Sequence, residues 1–247
     1  MNTIAYTIEA DLHVHTVASG HAYSTVDEIT REAAKRGLKM VAITDHGPCL
    51  PGGAHRYHFW NLRIMPPELH GVRILRGIEA NIINEAGEID LPLDYLEHLD
   101  IVLAGFHPSC GYESTTAKKN TETLIRAIQN PVIDAIVHPG NMKFPIKPEP
   151  VVEVAAQAGM ALELNNSSFL PASSREFAYE TDEAIARFAK EQAVPIILSS
   201  DAHIYTQVGD VMYAAALAFD VGLPAEQILN TSVEAVLDYL AKRHTRH

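Results

Sequence analysis

The chain has 247 residues, 47% of them apolar, and a formal net charge of −12. That is enough apolar material for a sizeable core, and an acidic chain with no lysine- or arginine-rich run is a poor match for long nucleic acid, which needs a basic surface. No stretch approaches the ~18 apolar residues of a membrane span, residues 1–9 lack the basic start and apolar centre of a signal peptide, and two cysteines make no disulfide framework, so a cytoplasmic protein is expected.

Short apolar runs alternate with helical patterns. Ala10–His15 reads as the first strand, and strand alternation puts Asp11, His13 and His15 on one face with Leu12 and Val14 on the other. Thr25-Val26-Asp27-Glu28 is a capping-box signature and opens a helix that closes near Gly37. Met40–Thr44 is the second strand, followed by a loop from Gly47 to Asn61 rich in Gly, Pro and aromatic residues. Arg73–Glu79 is the third strand, Glu85-Ala86-Gly87-Glu88 a turn, Pro92–His98 a short helix or loop, and Asp100–Phe106 the fourth strand. A helix over Thr121–Gln129 leads to the fifth strand, Asp134–Val137, and a helix over Glu149–Ala158 to the sixth, Met160–Leu164. The helix Thr181–Gln192 precedes the seventh strand, Pro195–Ser199. Further helices fill Tyr205–Arg243, one of them behind a second capping box, Thr231-Ser232-Val233-Glu234, and the basic tail 242–247 reads as solvated and frayed.

Strands that alternate with helices predict a parallel sheet with helical crossovers. No linker interrupts the pattern, so residues 1–247 read as one domain. Seven strands fit a distorted TIM-like (β/α)7 barrel, one strand short of the eight-stranded form; an open doubly wound sheet shares the same alternation.

The thirteen histidines are the unusual feature of the composition. His13 and His15 end the first strand, His46 follows the second, Glu79 ends the third, His107 the fourth and His138 the fifth. Asp201 and His203 follow the seventh strand, and His21 lies in the loop after the first. In a parallel barrel all these strand ends open on one rim, where active sites form. Any one of these residues alone is explained by a turn, a cap or an ion pair; nine at the same end of successive strands point to metal ligation. Asp11 and Asp45 are candidates for acceptors that orient a ligating imidazole, or are plain strand-end residues.

These motifs resemble the PHP superfamily, named for polymerase and histidinol phosphatase. They are Asp11-Leu12-His13-Val14-His15, Thr44-Asp45-His46, Glu79, His107-Pro108, His138-Pro139 and Ser200-Asp201-Ala202-His203. Within it, 16–25 and 42–48 look most like the YcdX-like phosphatases. The resemblance implies a seven-stranded barrel with three zinc ions at the carboxyl rim. It implies His13, His15, Glu79 and Asp201 on the first ion, His21, His46 and His203 on the second, and His107, His138 and the other Glu79 oxygen on the third. Such a set leaves open positions on two ions, and Glu79 would bridge two ions at a separation of roughly 3.5–4 Å. A hydroxide held there beside Glu79 and Asp201 would be the nucleophile. Three divalent ions less two carboxylates leave about +4, which attracts a phosphate dianion in spite of the acidic surface. The donors suit zinc and also admit manganese or iron.

The expected activity is therefore hydrolysis of a small phosphoric ester, most simply a monoester. Histidinol-phosphate phosphatase and nuclease-like phosphodiesterase are the enzymatic alternatives. A metal-storage or sensing protein, and a closed structural metal site, are the non-catalytic ones. Cys49 and Cys110, near His46 and His107, are expected to be loop or buried cysteines more than soft ligands. Within the loop Gly47–Asn61, His55-Arg56-Tyr57-His58-Phe59-Trp60 is expected to act as a lid that contacts substrate, with packing of its aromatics on the barrel rim as the alternative. Arg56 and Lys143 are candidates for binding a phosphate or a leaving group against a default of solvated cations, and Asn165 and Asn166, on the same rim, are candidates for hydrogen-bonding substrate or for a turn.

Overall fold

The computed structural model describes residues 6–170 and 178–245; the expectations for the first five residues and for Arg246 and His247 lie outside them. The strands are β1 (Ala10–Val14), β2 (Met40–Ile43), β3 (Glu68–Leu69), β4 (Val72–Asn81), β5 (Ile101–Gly105), β6 (Ala135–Ile136), β7 (Ala161–Asn165) and β8 (Ile196–Ser199). Seven of them are parallel and adjacent in chain order, β1-β2-β4-β5-β6-β7-β8. The short β3 adds an antiparallel partner to β4. The helices are α1 (Val26–Lys35), α2 (Arg56–Asn61), α3 (Leu93–Leu96), α4 (Ala117–Ile128), α5 (Pro148–Ala158), α6 (Ala178–Gln192), α7 (Met212–Val221) and α8 (Val233–His244).

The sheet closes on itself. One apolar cluster takes residues from all seven parallel strands, among them Leu12, Met40, Leu75, Leu103, Ala135, Ala161 and Ile197, which only the inside of a barrel permits. Val236 and Leu240 of α8 join it and plug the amino-terminal end. A larger cluster packs strands under α4, α5, α6 and α7, and a third packs β1, β2 and β4 under α1. This is the distorted (β/α)7 barrel expected from the alternation, not the open sheet.

The seam between β1 and β8 is not a regular ladder. At the carboxyl end Val14 bridges Ala202, and His15 N donates to Ala202 O at 2.9 Å. At the other end the buried Asn230 side chain stands in for a strand. Its Oδ1 accepts from Leu198 N at 3.0 Å, while Nδ2 donates to Ala10 O at 2.9 Å and to Leu198 O at 2.6 Å. Its own carbonyl accepts from Glu9 N at 2.9 Å. Backbone groups that closure would leave unpaired are thereby satisfied.

Local chemistry explains where sequence expectation and structure part. The register of β1 on β2 shifts between Asp11 and Val14, and an irregularity of this kind re-phases the alternation. Leu12 therefore packs inside the barrel, and Asp11 turns away from the histidines to accept from Ser200 Oγ, Ser200 N and Gly209 N. α4 starts before Thr121, because Thr116 caps Lys119 N at 3.3 Å. The first capping box forms as expected at Thr25 and Glu28. The second does not: Thr231 Oγ1 is held by Ile228 O, and Ser232 becomes the cap of α8. The basic tail is not frayed through residue 244. Arg243 is buried, its guanidinium donating to Ala158 O and Ile133 O, and His244 pairs with Asp134.

Candidate active site

All nine strand-end residues meet at the carboxyl rim around Glu79, which is fully buried on β4. Glu79 Oε1 lies 2.7 Å from His138 Nε2 and 3.0 Å from His107 Nε2. Its Oε2 lies 2.6 Å from His46 Nδ1, 3.4 Å from His13 Nε2 and 3.5 Å from His15 Nε2. Asp201 Oδ1 faces the same pair, 3.2 Å from His15 Nε2 and 3.6 Å from His13 Nε2. His203 Nε2 meets His21 Nε2 at 3.0 Å, and the His15 ring stacks on His46 at 4.3 Å between centroids. His21 and His203 are the more exposed members; the others are buried.

The outer partners set the tautomers. His13 Nδ1 is 2.8 Å from Glu163 Oε1, and His203 Nδ1 is 3.0 Å from the carbonyl of Asp201. Both partners only accept, so each Nδ1 carries the proton and each Nε2 presents a lone pair inward. His15 Nδ1 meets Ser19 Oγ at 3.1 Å, and Ser19 donates to Asp45 Oδ1 at 2.6 Å, which gives His15 the same polarity. Asp45 also accepts from Thr16 N and Thr16 Oγ1, both at 2.8 Å, and lies 3.2 Å from His58 Nε2.

Glu163 is the residue that sequence reading passed over. Its position on β7, two residues from the interior Ala161, was the available signal. Its Oε2 accepts from His138 N at 2.7 Å, so one carboxylate orients His13 and fixes the backbone of His138. That backbone needs fixing: His138 and Asp201 both have positive φ, 35° and 53°, a conformation costing ~1–3 kcal/mol in non-glycine residues. Gly105 is required beside it, because a Cβ there would come within 2.7 Å of His138 Cε1.

Electrostatics follow from this crowding. Burial pushes the Glu79 carboxyl up, but the imidazoles of His46, His107 and His13 outweigh it and hold Glu79 well below the usual carboxylate range. Burial lowers His15, and the neighbouring His46 and His203 lower it further. For His13 burial is outweighed by Glu163, Glu79 and Asp201, which raise it well above its ordinary value. Burial raises Asp45, yet bonds to His58 and Ser19 bring it down to about 2.

Among the described residues, buried His13 Nε2, His15 Nε2, His46 Nδ1 and Glu79 Oε2 lack a hydrogen bond of good geometry although they crowd together. Unsatisfied buried groups of this kind are costly. Three groups, His15/His46/His203, His13/His15/Glu79 and His46/Glu79/His107, each bring their ligand atoms within 4.8 Å of one another. A divalent cation satisfies lone pairs arranged this way, so the residues fit a metal centre.

The other candidates separate. Leu50 and Pro51 line the open cavity of about 630 Å³ over the site, with Asn141, Lys143, Ser167, Leu170 and Gln207. The aromatic half of the same loop forms α2, where Phe59 is buried and Trp60 packs edge-on against Tyr95 and His98. Arg56 is exposed at the start of α2, outside the cavity lining. Cys49 is exposed, and buried Cys110 donates to Asn81 Oδ1. Asn165 Nδ2 donates to Glu163 and Asp201, and Asn166 caps the start of α7.

Fold and site together define a parallel barrel carrying a buried histidine–carboxylate cluster on its carboxyl rim. The PHP domain model matches residues 11–167, more than half of the chain, and the chain belongs to the PHP domain family. A "probable phosphatase" of Acetivibrio thermocellus is 47% identical over 236 residues, 96% of each chain. The histidinol phosphate phosphatase of Lactococcus lactis, solved with zinc, L-histidinol and phosphate, superposes with a TM-score of 0.60 at 16% identity, covering 87% of this chain and 94% of that one. A chain of archaeal ribonuclease P solved with mature tRNA does so at 0.61 and 13% identity, covering 95% and 91%. The last two show a shared barrel, and a barrel alone fixes no chemistry. No helix among the described residues is long and apolar enough to cross a membrane.

Proposed function

We propose that the chain is a metal-dependent phosphatase that hydrolyses small phosphoric monoesters with a trinuclear zinc centre. One observation carries the reading: both oxygens of buried Glu79 are approached by imidazoles from different strand ends, as a carboxylate shared between two cations requires. His13, His15, Glu79 and Asp201 would hold one ion, His21, His46 and His203 a second, and His107, His138 and Glu79 a third. His46 stands in two of the geometric groups and joins the second to the third. When bound, such ions supply Lewis acidity toward phosphoryl oxygens and make hydroxide available near neutral pH for in-line attack. Manganese or iron suits the same donors.

The chain's own residues do the rest. Glu163, Ser19 and the Asp201 carbonyl keep the three Nδ1 protons outward, which turns the Nε2 atoms of His13, His15 and His203 inward as donors to a cation. Asp45 fixes Ser19 and the turn at Thr16. The cavity admits a small ester over His21, His46, His107 and His203. The same reading takes residues 1–247 as one domain, supported by the packing of α8 and Asn230 into the barrel formed by the earlier strands. It places the enzyme in the cytoplasm, in keeping with two unbridged cysteines.

The test uses Glu79→Gln and Asp201→Asn, assayed with excess metal on a panel of monoesters, histidinol phosphate and single-stranded DNA. The expected outcome is monoester hydrolysis by the unaltered chain and loss of at least a hundredfold in kcat in both variants, with folding retained by circular dichroism. Stoichiometric metal without hydrolysis of any ester supports storage or sensing instead.

A further inference from the structure

The wall of the cavity above the cluster carries carboxamide donors as well as the histidines and Asp201. Asn141 and Gln207 both line it. Asn141 Oδ1 accepts from Lys143 N at 3.1 Å, and Gln207 Oε1 accepts from His203 N at 3.3 Å. A backbone N–H fixes the flip of a carboxamide, because only the oxygen accepts. Both amide oxygens are thus occupied, and both NH2 groups, Asn141 Nδ2 and Gln207 Nε2, have no acceptor among the described residues. Ser167 Oγ, also in the lining, is held by Asp201 Oδ2 at 3.1 Å.

Lys143 adds a charge to this set. It is the one lysine or arginine in the described lining, and no carboxylate pairs with it among the described residues. Its position is defined: Asn141 N donates to His138 O at 3.0 Å and Phe144 N to Asn141 O at 2.9 Å, while the Phe144 ring is buried against Phe106. The turn that carries Lys143 is therefore anchored at His138, beside the metal cluster, and at the core. An exposed lysine lining such a site and paired with no carboxylate among the described residues, in a chain of net charge −12, has a compact point charge to offer an anion.

Cations held by the cluster would match the phosphoryl group that is transferred. We infer that Lys143, with Asn141 and Gln207, binds a second anionic group, so that the preferred substrates are phosphomonoesters whose leaving group itself carries a carboxylate or another phosphate. This rests on the phosphatase reading of the same site and narrows its substrate class. The rest of the described wall is Leu50, Pro51, Pro108 and Leu170, with no Phe, Tyr or Trp face on which a nucleobase would stack.

The experiment compares matched esters on the metal-loaded protein: glycerol 3-phosphate, with a neutral leaving group, against 3-phosphoglycerate and fructose 1,6-bisphosphate. Each is assayed with the unaltered chain, Lys143→Met and Lys143→Arg, and bisphosphate binding is followed separately by calorimetry. The expected result is a kcat/KM at least tenfold higher for the anionic leaving groups. Lys143→Met should reduce that ratio about tenfold, mainly through KM, and Lys143→Arg should restore part of it. Equal loss on all three esters would place Lys143 on the transferred phosphoryl group and overturn the inference, as would an unaltered chain that does not discriminate. If no ester turns over yet the bisphosphate binds in a Lys143-dependent way, the phosphatase reading fails and the anion subsite stands. If neither occurs, both fall.

Discussion

The two ends of the barrel treat buried polar groups in opposite ways. At the amino-terminal end, Asn230 gives every atom of its carboxamide a backbone partner and closes the barrel as a strand would. At the carboxyl end, His13, His15, His46 and Glu79 bury atoms that no neighbour among the described residues satisfies, and His138 and Asp201 sit in left-handed conformations. The same fold thus pairs its buried polar groups at one end and crowds together unbonded ones at the other, where a cation would satisfy them. Polar burial at the seam is architecture; at the rim it marks a site under strain.

Metal withdrawal should break this contrast most strongly. Each site saturated at a hundredfold over its Kd contributes ~2.7 kcal/mol, so chelation should lower Tm markedly and added zinc restore it. An unchanged Tm would mean the rim is satisfied without metal. Asn230→Leu attacks the other end, leaving Leu198 N, Leu198 O and Ala10 O unpaired in the core at ~1–3 kcal/mol each. A loss of about 3–5 kcal/mol is expected in urea unfolding, equal with and without metal; a loss that metal abolishes would show the two ends to be one cooperative site. Glu163→Gln keeps the shape but gives His13 Nδ1 an ambiguous partner. Metal affinity should fall about 10–100-fold, measured by competition with a chelating dye, with the metal-free fold retained.

The smallest effect lies away from both ends, at the Arg76–Asp100 pair. Burial raises the Asp100 carboxyl, but its bonds to Arg76 prevail and hold it below its ordinary value. A depressed folded value stabilises the fold above the unfolded pKa and ceases to do so as pH falls through the folded one. The urea midpoint of Asp100→Asn should therefore lie below that of the unaltered chain at pH 7, and the two should converge below pH 4. The pair is about one-third exposed, so the gap at pH 7 should stay within about 1 kcal/mol.

The sequence made much of the rim legible, for a physical reason. A parallel barrel sends all carboxyl strand ends to one face, so residues such as Glu79, His107 and His138 are read from strand ends without knowing any contact. The partners that orient them were harder to see. Glu163 lies within an apolar strand, and its role depends on His13, 150 positions away. Asp11 was misplaced because the register shift in β1 leaves no trace in the alternation of Asp11 to His15. Asn230 gave no signal, since a carboxamide replaces backbone pairing only when β1 and β8 are already adjacent. Of the loop Gly47–Asn61, the position after strand two was informative for Leu50 and Pro51, while its aromatics pack elsewhere.

The seam also bears on how the polypeptide is made. The matched family segment ends at residue 167, which on the proposed ligand set leaves Asp201 and His203 still to come, and the closing carboxamide comes only at 230. On the ribosome the emerging strands β1 to β7 would have most of their imidazoles in place and no closed ring to hold them. On that ligand set, metal loading would wait for Asp201, His203 and the closing Asn230, long after His13 and His15 have emerged.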